Sequence, residues 1–174
     1  MRVMRTTHKL LLGAALFSTV ACQSATLGAP ADEIPSTAID EAFGDAGVRR
    51  VAHSDYNGFD QPVRAVIRDQ ESWQAAWTTL YIGMMPAPPA PPAVDFSRST
   101  VILVALGARP SGGYDITVSR VARDAGLLYV EVTSTSPGER CITTAAITKP
   151  VDIIVVPHTV DEAVFVERKT VHQC

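Results

Sequence analysis

The sequence predicts a β-rich α+β domain, a single antiparallel sheet or small sandwich with one amphipathic helix packed on it. Three observations carry that expectation. Short apolar or alternating runs recur between residues 100 and 169, separated by turn residues. Only one stretch, 69–83, has helical spacing. Residues 51–174 make one domain's length of chain, whereas the first 50 differ in composition.

Asn57-Gly58 divides "VAHSDYNGFDQPVRAVI" (51–67) into two moderately apolar arms. Asn-Gly is the favoured pair for a two-residue hairpin turn, because both residues accept positive φ. A hairpin is therefore expected, with Pro62 starting the returning arm at a sheet edge. In "DQESWQAAWTTLYIG" (69–83), Trp73, Ala76, Trp77 and Leu80 fall at i, i+3, i+4 and i+7 and share one face. Asp69 caps the start and Gly83 ends the helix. Tryptophans on such a stripe pack on a sheet in preference to forming a ligand platform. "MMPAPPAPPAV" (84–94) holds five prolines and reads as a polyproline-like connector. A docking site for a proline-reading partner is the alternative.

"TVILVALG" (100–107) is continuously apolar, as in a strand covered on both faces. "YDITVSRV" (114–121) and "LLYVEVTST" (127–135) alternate, with "RDAG" (123–126) turning between them. "SPGER" (136–140) breaks the pattern. "CITTAAIT" (141–148), "VDIIVVP" (151–157) and "AVFVERK" (163–169) supply three more strands. There is no internal repeat.

The N-terminal part predicts a destination. Residues 1–22, "MRVMRTTHKLLLGAALFSTVAC", put Arg2, Arg5 and Lys9 ahead of an apolar run too short to span a bilayer, the form of an export signal. "TVAC" resembles the lipobox of bacterial lipoproteins, with Thr19 where that motif usually has Leu. Cys22 is then the lipidated residue and the anchor to a membrane. Ordinary cleavage near Ala21, giving a soluble periplasmic or secreted protein, is the alternative. Gln23 after the cysteine resembles outer-membrane sorting. Residues 23–50, rich in Ala, Gly, Pro, Ser and acids, read as a flexible tether, with a short helix around Ala38–Phe43 weakly signalled.

The chain's net charge is −3, and losing Arg2, Arg5 and Lys9 with the leader makes it more acidic. No basic patch or arginine-rich helix is present, which argues against a nucleic-acid partner. In an oxidising compartment, with Cys22 lipidated, Cys141 and Cys174 are left to pair with each other. Metal ligation by the two is the alternative, although neither lies in a Cys-x-x-Cys pair.

"GARPSGGYDI" (107–116) is the densest small-residue stretch, and it has features of a nucleophile elbow, a P-loop and a strand reversal. A nucleophile elbow needs Gly-x-Ser-x-Gly before a helix. Arg109 stands where the first glycine should be, and a strand pattern follows. His53, His158 and His172 have no local signature as bases. A P-loop needs Lys where Gly113 stands, and a helix N-terminus. A strand reversal needs only Pro110 to set φ and Ser111-Gly112-Gly113 to turn. "DYNGFD" (55–60) has part of a calcium loop's spacing, but Val66 stands where the closing glutamate belongs. The expectation is therefore no catalytic residue, no metal and no small-molecule cofactor.

With its surroundings, this string resembles the C-terminal domain family of the protease complex subunit PrcB. The matching features are Val94-Asp95-Phe96-Ser97, then "VILVALG", then Gly107 through Tyr114, then Thr148-Lys149-Pro150 before "VDIIVVP". Val66-Ile67, Trp73 and Trp77 look like the family's lead-in, so the resemblance spans about 60–174. Ser111 stands where the family more often has Thr. The Cys141–Cys174 pair looks like a feature of some members. The resemblance implies an exported, often lipid-anchored, non-catalytic module of the cell envelope that assembles with a protease or another envelope protein. Arg109, Pro110, Ser111, Gly112, Gly113 and Tyr114 are the candidate interaction loop. A protease-inhibitor-like module and a structural envelope lipoprotein are the alternatives.

Overall fold

The computed structural model describes residues 33–44, 47–83, 89–158 and 162–174. The leader, Cys22 and the first part of the expected tether lie outside them. Eight strands and one helix follow in order. They are β1 (Ile39–Asp40), β2 (Arg49–Ser54), β3 (Val63–Ile67), α1 (Gln70–Leu80), β4 (Thr100–Ala105), β5 (Asp115–Asp124), β6 (Leu127–Pro137), β7 (Val151–Val156) and β8 (Ala163–His172).

They form two four-stranded sheets, ordered β1-β5-β6-β8 and β2-β7-β4-β3. The sandwich alternative therefore describes the molecule and the single sheet does not. Burial explains why. Ile102 and Val104 of β4 and Ile154 and Val156 of β7 face Ile116, Val118, Leu128, Val130 and Val132 of the other sheet, forming the interior. The opposite faces of β4 and β7 carry Val101, Leu103, Val151 and Ile153 against Trp73, Trp77 and Leu80 of α1. Both central strands are thus covered on both sides and fully buried, with Asp152 of β7 the one charged residue among them.

The helix follows its sequence signals closely. Asp69 is the N-cap and accepts from Ser72 N, and Gly83 takes φ +74° past the end. Trp73 Nε1 donates to Pro92 O at 3.0 Å and Trp77 Nε1 to Pro89 O at 2.8 Å. The proline carbonyls accept what the buried indoles must donate.

Elsewhere the structure departs from the sequence expectations. Asn57-Gly58 is no hairpin turn, because β2 and β3 are the two opposite edges of one sheet. Asn57 is buried, its amide donating to Lys149 O and its Oδ1 accepting from Phe59 N at 2.8 Å. Gly58 donates to Thr79 O at the end of the helix, where a Cβ would come within 2.4 Å of that oxygen. The pair pins the connection to the helix end.

"CITTAAIT" is not a strand. Only Thr148 makes a bridge, and Ile142 and Ile147 point to solvent. β6 and β7 belong to different sheets, so 138–150 must cross the sandwich. β4 and β5 also belong to different sheets, so 106–114 is a second crossover and not a hairpin. β8 lies parallel to β6, from Leu128↔Ala163 to Pro137↔His172. The chain leaves that sheet to form β7 and returns, which permits a parallel neighbour.

Residues 33–44 and 47–50 do not behave as the expected tether, and no helix forms at 38–43. Ile34 is buried against Ala122, Tyr129 and Val166 on the outer face of the first sheet, and β1 pairs with β5. Arg120–Asp40 and Arg123–Glu41 ion pairs, both at 2.6 Å, hold the arm down. Val48 then enters the interior. One buried aliphatic every few residues suffices to dock an arm on an existing sheet, although it could build no core alone.

Candidate functional site

The two crossovers lie at the same end of the sandwich and are hydrogen-bonded to each other. Arg109 N donates to Thr148 O at 2.7 Å and Thr148 N to Arg109 O at 3.1 Å. Gly112 N donates to Thr144 O at 3.0 Å, and Thr148 Oγ1 to Ser111 O at 2.7 Å. The glycines serve this interlock. A Cβ on Gly112 would stand 2.4 Å from Thr144 Oγ1. Gly113, at φ +84°, passes Pro137 and Thr143 where a Cβ would approach to 3.1 and 3.2 Å. Gly107, at φ +77°, lies against the backbone of Gln61 and Pro62.

Of the loop residues expected to meet a partner, Pro110 and Gly113 are exposed. Arg109, Ser111, Gly112 and Tyr114 are half-buried. Ser111 Oγ donates to the Gly112 carbonyl at 3.1 Å. His53 and His158 are engaged elsewhere, beside Asp115 and Asp152 and beside Glu41, and His172 ends β8. Cys22 lies outside the described residues. Cys141 and Cys174 are bonded to each other, with Cα atoms 5.2 Å apart and 33 positions between them in sequence. The bridge ties the second crossover to the end of β8.

Arg109 and Tyr114 do meet other elements. The Arg109 guanidinium carbon lies 5.9 Å from the Tyr114 ring centroid, and Nη2 donates to Leu106 O at 2.6 Å. The same two residues, with Ser134 and Ser136 of β6 and Lys169 and Thr170 of β8, line a groove of about 240 Å3 at the mouth of the sandwich. Register explains the meeting. Ile116 pairs with Ser134, and Ser134 with Lys169, so these positions share the face that carries the interior. One rung nearer the interior, Glu167 is occupied by Arg64 of the other sheet in a bidentate pair, at 2.7 and 3.0 Å. Sequence reasoning missed Ser134, Ser136, Lys169 and Thr170, since their arrival depends on the crossovers.

A second polar group joins the sheets. Ser119 is the extra residue of a bulge in β5, and Val118 turns its backbone groups across the interior. The fully buried Asp152 of β7 accepts from Val118 N at 2.8 Å and from Arg50 Nε at 2.7 Å. Arg50 Nη2 donates to Val118 O at 3.1 Å. His53 lies 3.6 Å from Asp152 Oδ1 and 3.1 Å from Asp115 Oδ1, the latter a close contact without hydrogen-bond alignment. Among the described residues no three His, Cys, Asp or Glu side chains converge as metal ligands. The group is an inter-sheet clamp, and it had a sequence signal: one acid inside the apolar run "VDIIVVP".

A wider depression of about 470 Å3 is lined by Tyr56, Ile82, Gly83 and Ile147 among others.

The class this defines is a helix-backed β-sandwich module whose two sheet-crossing loops interlock at one mouth. Residues 100–157 match the family model PrcB C-terminal, and that segment of the chain is similar to the family. The match runs from β4 to β7 and contains both crossovers, a narrower span than the 60–174 expected from resemblance. No curated protein and no solved structure matches the chain.

Proposed function

We propose that the chain is a non-catalytic binding or scaffolding module, held at the bacterial envelope by a lipid on Cys22. In this reading it acts as an accessory subunit of an extracytoplasmic protease assembly. The observation that carries the reading is the PrcB C-terminal match over the interlocked core. The turning of Ser111 onto its own backbone agrees with it, since a nucleophile needs a base within hydrogen-bond reach. An inhibitor presenting 108–114 to a protease cleft is disfavoured, because that segment's backbone is already paired with 138–150.

Crosslinking followed by affinity capture of the full chain from solubilised membranes tests the reading. A protease that co-purifies reproducibly supports it. Recovery of the chain alone favours the structural-lipoprotein alternative. Intact-mass measurement tests the anchor. Acyl mass on the mature protein, lost with membrane association in Cys22→Ser, is expected, and an unmodified mass overturns it.

A further inference from the structure

We propose that the groove at the sandwich mouth binds a carboxylate of a peptide segment from a partner protein. The inference rests on the binding-module reading and names what that module recognises.

The chain is acidic overall, and most cations placed near the sheets have carboxylate partners: Arg50 with Asp152, Arg64 with Glu167, Arg120 with Asp40, Arg123 with Glu41, Lys149 with Asp60. Arg109 and Lys169 share one groove, and neither has a carboxylate partner among the described residues. The nearest acid on the same face of β8, Glu167, is already taken from both oxygens by Arg64. Two uncompensated cations on one groove raise its positive potential, and an anion bound there is attracted to both.

The remaining lining suits the same ligand. Ser134 and Ser136 are short side chains that leave room, and their hydroxyls rest on the Arg168 and Thr170 carbonyls in long bonds of 3.3 and 3.5 Å that a charged acceptor can replace, whereas the Thr170 hydroxyl is paired with that of Thr135. The guanidinium is held in place by the Leu106 carbonyl and the Tyr114 ring, so little freedom is lost when an oxyanion arrives. Arg109 Nε is buried without a hydrogen-bond partner, which leaves part of the group's donor capacity unspent.

Size and surroundings identify the source. A volume of about 240 Å3 is below that of ordinary cofactor and drug-sized sites, roughly 300–1,000 Å3, and suits a single residue. The groove also borders β8, the last strand of its sheet, and no strand pairs with the outer edge of β8 among the described residues. An extended peptide can follow such an edge through its backbone while one carboxylate enters the groove. A free ion would use only the second contact.

The test titrates the full chain with four probes and reads backbone amide shifts of Tyr114, Ser134 and Lys169 by NMR. The probes are Ac-Ala-Glu-Ala-NH2, Ac-Ala-Gln-Ala-OH, Ac-Ala-Gln-Ala-NH2 and inorganic phosphate. The first two separate a side-chain carboxylate from a chain terminus, and the third carries neither. Saturable shifts with at least one carboxylate peptide, and none with the neutral peptide, are expected. Lys169→Gln, an exposed position, should weaken binding about ten-fold, and Arg109→Gln at least as much. Arg98→Gln, far from the groove, should leave it unchanged. Equal binding of the neutral peptide, no saturable shift up to about 10 mM, tighter binding of phosphate than of either peptide, or indifference to Lys169→Gln would each overturn the proposal. A protease captured from membranes despite such a result would leave the module reading standing and remove only this site.

Discussion

Gly107 and Gly126 adopt nearly the same backbone, φ +77° and +84°, in different surroundings. A Cβ on Gly126 would meet nothing within 4 Å, so Gly126→Ala costs only the left-handed conformation, about 1 kcal/mol. A Cβ on Gly107 would lie 2.9 Å from backbone atoms of Gln61 and Pro62, which cannot swing aside as a side chain tip can. Gly107→Ala should therefore cost about 3 kcal/mol or more in urea unfolding. Equal costs would show that the close approach carries no weight. At Asp69, the Ser72 amide and then its hydroxyl hold the carboxyl below its ordinary value of 3.8. The folded value is the lower one, so the cap stabilises above 3.8 and is lost as pH falls through the folded value. Asp69→Ala should thus lower the melting temperature at pH 7, with the gap to the unaltered chain closing in acid. A gap independent of pH would mean that the charge does not act through the cap.

At the scale of elements, the two sheets depend on one buried carboxylate. Asp152→Ala leaves Arg50 without its partner and Val118 N–H unsatisfied in the interior, and should cost about 3–5 kcal/mol. Asp152→Asn keeps an oxygen for Val118 and should cost less. A double-mutant cycle with Arg50→Ala checks the coupling, and additive losses would dissolve the clamp. The same strands show how far the sequence could be read. Strand positions and the helix were legible because burial imposes period 2 or 3.6 locally. Partners were not, because β4 to β5 and β6 to β7 each change sheet, and no local pattern distinguishes a crossover from a turn. Asn57-Gly58 misled because its side chain and backbone are used against Lys149 and Thr79. Two long-range features did leave traces. Val118 and Val121 stand three apart in an otherwise alternating strand, marking the bulge, and Asp152 interrupts "VDIIVVP".

Over the whole molecule, the Cys141–Cys174 bridge closes a 33-position loop that contains β7 and β8. On loop-closure grounds it stabilises by about 3–4 kcal/mol, or roughly 10 °C of melting temperature for a chain of this size. Cys141→Ser with Cys174→Ser should lower the melting temperature by that amount while the far-ultraviolet spectrum stays β-rich. An unchanged melting temperature would place the stability elsewhere. Half of the groove was legible in advance: Arg109 and Tyr114 stand in a conspicuous stretch of sequence, whereas Ser134 and Lys169 join them only through the register of three strands. The N-terminal arm has a directional consequence. Ile39 sits opposite Arg123, beside the β5–β6 turn, while Tyr114 borders the groove at the other end of β5. At about 3.3 Å per residue, nearly 30 Å separates them. Under the anchoring proposed above, the chain would be held at one pole of the sandwich and would open its groove at the other. The module would then present its groove outward from whatever surface holds it, with the β-sandwich itself as the spacer.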